Sequence, residues 1–474
     1  MKHMTLGNYA RVMGLTLATA MTMMLTACKK LIQIPANPPT EISTSEQFAD
    51  SASTMTAMAD VYSYPSSEGK GFTFNDGLLS LCTGLSADEL SIGSNEQAPY
   101  LQFLQYGVTP LNTTVTSLWD DPYTGIYSVN AVMIGVATSP GLSASLKTQL
   151  TGELELVRAL YYFDLVNLFA AVPLVLTTDY NVSSKIGRTS LDSVNAQIMT
   201  DLQAAQQVLP VTYPSPGHLR PNLYTVKALL AKIYLYQKNW QAAYSAADTI
   251  INSGLYSLEP NLNNVFLDGS QEAIWQLPAT GTNDITTDAL NFVPQTSGTA
   301  PNYPLTTYLL NAFEAGDQRL LDWTGMAIVS VGSANDTLYY PYKYKNVSPY
   351  SSPTNEDFMI FRLGEEYLIH AEAAAELGNL GTAISDLNIV RARAGLSATT
   401  ATGQAGVLAA IMHERQVELF TEWGNRWFDL NRTGTAGTVL NTEKGGFQSY
   451  MALYPVPFSE MEVNTLLTQN PGYN

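Results

Sequence analysis

Two stretches of this chain, 222–254 and 360–395, carry the same pattern, and that pattern limits the fold more than anything else in the sequence. Each reads as a helix, a short break and a second helix, with alanine where two helices must approach closely. In the first, residues 222–237 form one helix, broken at Lys238-Asn239-Trp240. Ala243, Ala247, Ile250 and Ile251 then stripe a second helix, which Gly254 ends in a left-handed cap. In the other, Leu363, Tyr367, Ala371 and Ala374 stripe a helix over 360–377 that stops at Gly378. Ala383, Leu387, Val390 and Ala394 stripe its partner, capped by Gly395. About 100 residues separate the two hairpins. Neither can bury its apolar face alone, so the two must meet in three dimensions.

Each hairpin takes about 33 residues, close to the ~34-residue tetratricopeptide unit. Two more helices precede them. Leu154, Val157, Tyr161, Leu165 and Leu168 line one face of the first, which stops before Pro173. Leu191, Val194, Ile198, Leu202 and Ala205 do the same from Ser190 to before Pro210. The predicted fold is mostly α: four tetratricopeptide-like hairpins, with elements near 150–209, 222–254 and 360–395, joined by long irregular loops. Those loops, 62–122 and 255–358, are rich in Gly, Pro, Asn, Thr and Tyr. Long loops on a rigid scaffold are where binding sites concentrate.

The N-terminus adds an address. Lys2 and Arg11 precede an apolar run over 12–27 that is too short and too rich in small residues to span a membrane comfortably. It ends in Leu25-Thr26-Ala27-Cys28, which resembles a bacterial lipobox. Residues 1–27 are therefore predicted to be a leader, 28–46 a tether lipidated on Cys28, and 47–474 a single helical domain. With Cys28 acylated, Cys82 has no disulfide partner and reads as a small core residue. No later run reaches 18 apolar residues, so the body is expected to be anchored by lipid only.

Charge and motifs exclude several functions. The chain has 41 acidic and 23 basic residues, a net charge of −18, and no basic run beyond Lys29-Lys30, so nucleic acid is not an expected partner. The histidines are His3, His218, His370 and His413. Position 417 is Val, so His413-Glu414 does not open a zincin motif, and no Cys/His cluster suggests a metal. Nucleophile-elbow, phosphate-loop and dinucleotide motifs are missing as well. No catalytic residue and no cofactor is assigned; a paired-carboxylate glycosidase is left open by spacing alone, and so is an accessory calcium. The charged run Glu414, Arg415, Glu418, Arg426, Asp429 and Arg432 is read as a structural tie between the last helices and the stack.

The order of the motifs resembles one family. After the lipobox come Asn37-Pro38-Pro39-Thr40, then Trp119, Tyr123, Ile126 and Asn130. Arg158-Ala159-Leu160-Tyr161-Tyr162-Phe163-Asp164-Leu165 and Arg188-Thr189-Ser190 follow. The C-terminal half holds FRLGEEYLIHAEAAAELGN, DLNIVRARAGL, HERQVELFTEWGNRWFDLNRTG and LYPVPFSEMEVNTLLTQNPGY. Together these resemble the SusD/RagB family of nutrient-binding outer-membrane lipoproteins. The resemblance implies a surface-facing lipoprotein of a Bacteroidetes-type bacterium that captures oligosaccharide as a non-enzymatic subunit. It also implies delivery to a SusC-like TonB-dependent transporter. Peptide capture for a RagA-like transporter is the second reading it allows. The sequence departs from the common pattern at Lys29-Lys30, where acidic residues often accompany surface export.

Sugars offer flat C–H faces and rims of hydroxyls, so aromatic platforms are the natural candidates. The 27 Tyr outnumber 15 Phe and 6 Trp, and Tyr pairs an apolar ring with a polar tip. Tyr100, Tyr106, Tyr303, Tyr308 and Trp323, with the run Tyr339-Tyr340, Tyr342 and Tyr344, fall in the two predicted loops and are taken as candidate ligand contacts. Trp119, Trp275 and Trp427 are taken as core. The acidic balance favours a neutral glycan over an anionic one.

Overall fold

The computed structural model describes residues 44–63, 73–93, 98–279, 285–331, 334–347 and 355–473. The leader, Cys28 and most of the tether lie outside the described residues.

Helices dominate. Apart from helical turns of four or five residues, the first three described are α1 (Ser51–Ser63), α2 (Leu79–Ser86) and α3 (Ala98–Leu104). Two long helices follow, α4 (Thr113–Thr138) and α5 (Ala144–Phe169), then α6 (Leu191–Val208). The first predicted hairpin is α7 (Leu223–Tyr236) and α8 (Trp240–Ile251), and the second is α9 (Leu363–Glu376) and α10 (Leu380–Arg393). A further pair is α11 (Gly403–Glu418) and α12 (Asn425–Arg432), and the short helices Ala436–Glu443 and Phe458–Val463 follow it. The packing runs α4 on α5, α5 on α6, α7 on α8, α8 on α9, and α9 on both α10 and α11. The two hairpins thus meet directly across the sequence gap. Ala243, Ala246 and Ala247 of α8 pack with Ala231 of α7 and with Ile369 and Ala373 of α9, the small side chains letting the axes close in. Gly125 does the same for α4: a Cβ there would lie 2.5 Å from the Tyr161 ring of α5.

The helix ends follow the sequence signals. Asn222 accepts from the Tyr224 and Thr225 backbone N–H groups while the Thr225 hydroxyl accepts from the Asn222 N–H, a capping box. At Gly378 (φ +81°) and Gly395 (φ +79°) the next N–H reaches back to the carbonyl of Ala374 and of Arg391, closing Schellman turns at 2.8 and 2.9 Å. Lys238 makes the same turn between α7 and α8 at φ +57°, with the Asn239 N–H on the Tyr234 carbonyl at 2.8 Å.

The predicted loops are the part that needs correction. The stretch 62–122 contains α2, α3 and the first turns of α4. Every residue of α2 is buried, so it has no polar face and no readable period. Pro122 lies inside α4 and reads as a breaker, which hides the helix around it. The stretch 255–358 holds β1 (Ala273–Pro278), β2 (Thr324–Val331), β3 (Ala334–Pro341) and the start of β4 (Asp357–Arg362). β1 pairs antiparallel with β4, and β2 with β3 as a hairpin. The mostly helical fold stands, but its connections are largely ordered elements. Trp119, Trp275, Trp427 and Cys82 are all buried, as expected of core residues.

Candidate functional site

The five candidate aromatics do not form one surface. Trp323 is fully buried, and its indole N–H donates to the Leu262 carbonyl at 3.0 Å. Lys343, Arg393 and Arg362 surround its ring at 4.8, 5.3 and 5.6 Å. Tyr303 is 1% exposed and sits edge-on to Tyr100 and Phe292. Neither Trp323 nor Tyr303 can meet a sugar, and their assignment as platforms is corrected: aromatic content in a presumed loop says nothing of burial once the loop is packed. Tyr100 is half-buried. Tyr106 packs on Phe447 beneath the Lys444 ammonium, 4.5 Å from its ring. Tyr308 is the one clearly exposed member, at 38%, and its hydroxyl donates to the Glu443 carbonyl. In the Tyr run, Tyr344 accepts from the Met359 N–H at 3.0 Å, and Tyr340 covers Gly325.

Lys343, Arg362 and Arg393 beside Trp323 each meet an opposite charge. Arg362 contacts Glu272, Glu418 and Glu422 at 2.9, 2.6 and 2.8 Å. Arg319 contacts Asp317, Glu414 and Glu418 at 2.8, 2.7 and 2.8 Å. Burial would raise the Glu418 carboxyl, but Arg393, Arg362 and Arg319 outweigh it and hold Glu418 well below the usual range. Arg432 joins α12 to Glu372 of α9 at 2.6 Å, and Asp429 binds both Arg415 and Arg432. This run ties the last helices to the stack, as its spacing suggested.

An open groove of about 530 Å³ lies elsewhere, between α4, the segment after α5 and the C-terminal tail. By contrast, two cavities beside Asp288 offer only about 10 Å³ each, room for a single water. Asp120, Thr124 and Tyr127 reach the groove from one face of α4, at spacings of four and three residues. Tyr180 stands on the facing segment, and Glu460 and Asn464 on the tail. Tyr127 and Tyr180 are 54% and 70% exposed, so their rings are free to take a ligand's apolar face. Burial, followed by the nearby charges of Glu460 and Asp121, pushes the Asp120 carboxyl up to about 7. Burial also raises Glu460.

The groove walls are held by the residues that carry the family resemblance. Tyr123 donates to the Pro173 carbonyl at 2.7 Å, and Asn130 donates to the Val175 carbonyl at 3.1 Å. Arg158 orients Asn130 at 2.9 Å and is itself clamped by both Asp201 oxygens at 2.8 Å. Tyr162 grips Val175 through both its N–H and its carbonyl. On the tail side, Arg188 donates to the carbonyls of Ala171, Phe169 and Thr468 and to Asn470. Sequence reasoning missed Asp120, Tyr127, Tyr180 and Glu460. The shared face of Asp120, Thr124 and Tyr127 was the available signal, obscured by Pro122.

The comparisons with known proteins fit this frame. A family model described as the SusD family matches residues 284–473, and one described as starch-binding associating with outer membrane matches 78–235. The chain belongs to the SusD/RagB family. A SusD-like protein of Formosa agariphila is 27% identical over 76% of this chain and 79% of its own length. The starch-binding protein SusD of Bacteroides thetaiotaomicron is 36% identical over 125 residues, 25% of this chain and 22% of that protein. Among solved structures, a laminarin-binding SusD-like protein superposes with a TM-score of 0.74 at 26% identity, covering 90% of this chain and all of that one. A SusD superfamily protein of Bacteroides vulgatus reaches 0.77 at 21% identity over 90% of this chain and all of that one. No helix among the described residues of this SusD-family chain is long and apolar enough to cross a membrane.

Proposed function

We propose that this SusD-family protein is a non-catalytic capture subunit. It is held at the outer surface by acyl chains on Cys28, binds oligosaccharide in the groove, and passes it to a SusC-like TonB-dependent barrel. The observation that carries the reading is the groove itself: exposed Tyr127 and Tyr180 rings beside the polar side chains of Thr124, Ser183, Ser184 and Asn464. Flat rings suit sugar faces, and hydroxyl and amide groups suit sugar hydroxyls. Relatives described as starch-binding and laminarin-binding support the class of ligand. The net charge of −18 works against uronic or sulfated chains, so a neutral glycan is the first ligand to test.

Peptide capture is the weaker reading. No strand edge lines the groove among the described residues, so an extended peptide would find no main-chain ladder there. Hydrolysis is weaker too, since the relatives this chain is similar to are described as starch-binding and laminarin-binding.

Calorimetry across neutral oligosaccharides tests the proposal. A protein that must release its cargo should bind at micromolar to millimolar levels, roughly −8 to −4 kcal/mol, without releasing products. It should also co-purify with a large barrel from native membranes in mild detergent. Silence across the glycans with clear peptide binding would overturn the reading, and so would product release.

A further inference from the structure

Carboxylates alone do not make a binding site. In this groove two of them line an open cavity, beside exposed aromatic faces, with nothing to neutralise them. Asp120 comes from α4 and Glu460 from the opposite wall, and both are half-buried. Neither side chain has a hydrogen-bond partner among the described residues. The charged groups facing Asp120 are Glu460 and Asp121, both acidic. Arg188, which staples this wall, spends its donors on Ala171, Phe169, Thr468 and Asn470. Elsewhere in the helical stack Glu153, Asp201, Asp88 and Asp429 each have an arginine.

We propose that the Asp120–Glu460 end of the groove takes a sugar unit carrying a free, protonated amine. The inference rests on the groove being a glycan site and replaces the neutral chain considered above with one that carries a positive charge at this end. An ammonium between the two walls supplies the counter-charge that no side chain provides, in a half-buried setting where it is screened less than on open surface. The C–H face of the same chain lies against Tyr180 or Tyr127. A lysine-bearing peptide would bring the same charge, but the groove has no strand edge to hold its backbone. Burial keeps Asp120 partly protonated near neutrality, so binding the ammonium releases a proton there.

The test uses the full chain and three oligomers of equal length and linkage: glucosamine, N-acetylglucosamine and glucose. At pH 7 and low salt the glucosamine oligomer should bind about tenfold tighter than its acetylated counterpart, the ratio that ~1.4 kcal/mol gives. In the Asp120→Asn/Glu460→Gln variant the preference for the charged over the acetylated oligomer should vanish. Equal binding of charged and acetylated oligomers by the parent overturns the inference and leaves the glycan reading standing. A preference that survives in the double variant also overturns it, because the charge then acts through the acidic surface at large. Neutral binding that falls equally in the variant does so too, since the carboxylates then serve hydroxyls. If no oligomer binds at all, the glycan reading of the groove fails with it.

Discussion

The surroundings of Trp323 and the Asp120 groove contain the same materials, aromatic rings beside carboxylates, put to opposite uses. Around Trp323 the buried carboxylates Glu272, Glu418 and Glu422 each meet an arginine or lysine. Glu418 alone joins Arg319, Arg362 and Arg393, and Lys343 packs over Phe420 at 4.0 Å. Helices and strands close over this hub, and nothing enters. In the groove the rings are open to solvent and the carboxylates lack counter-charges. The difference teaches that a ring next to an acid does not mark a ligand site. What marks one is whether the protein supplies the opposite charge and covers the ring. A buried ion cluster is poor evidence of added stability in itself, but removing one member strands the others.

That contrast can be broken most sharply at the hub. Glu418→Ala leaves three guanidinium groups short of a partner and should cost about 3–5 kcal/mol in urea unfolding. Trp323→Ala should cost a similar amount, about 3–5 kcal/mol, and should lower the melting temperature well before it touches ligand affinity. Little change in either variant would mean the hub is not the closed core described above.

The next contrast is in pH. Burial would raise Asp429, yet Arg415 and Arg432 hold it at about 2. Its contribution is therefore complete above the unfolded value near 4 and is lost as pH falls toward 2, on the order of 2 kcal/mol. Asp120 has the opposite sign. Its folded value of about 7 lies above the unfolded one, so stability falls as pH rises from about 4 through 7. Asp120→Asn should raise the melting temperature at pH 8 and leave it unchanged at pH 4. A gain of equal size at both would show that Asp120 is not shifted.

Smaller still is the loss of one platform. Tyr180→Ala should weaken glycan binding about tenfold, the ~1.4 kcal/mol of some 55 Å² of apolar contact, with the melting temperature unmoved. Outside both regions, Lys238→Gly relieves an exposed left-handed residue and should add about 1 kcal/mol. It gauges the stability assay where neither charge pairing nor ligand is involved.

The helical stack was legible in the sequence because its helices are amphipathic and its ends are marked. Gly254, Gly378 and Gly395 all take positive φ where caps were expected. The hub was legible as a tie but not as a core: the spacing of Glu414 and Glu418 on one helix face cannot show that Arg319 and Arg362 arrive from distant segments. The groove was not legible as a whole. Asp120, Tyr180 and Glu460 come from three separate parts of the chain, and only tertiary packing brings them together. The platforms chosen in their place, Trp323 and Tyr303, failed because a loop-like composition hid strands and the short helices Thr287–Phe292, Thr307–Ala312 and Gln318–Asp322, in a segment packed into the core.

The central claim is that ligand binding belongs to the groove and not to the aromatic hub. Titration calorimetry of a neutral hexasaccharide into the parent chain and a Tyr127→Ala/Tyr180→Ala variant tests it directly. The account predicts micromolar to millimolar binding by the parent and a loss of at least about tenfold in the variant, at an unchanged melting temperature. Undiminished affinity in the variant, with the parent binding well, would place the ligand elsewhere and contradict it.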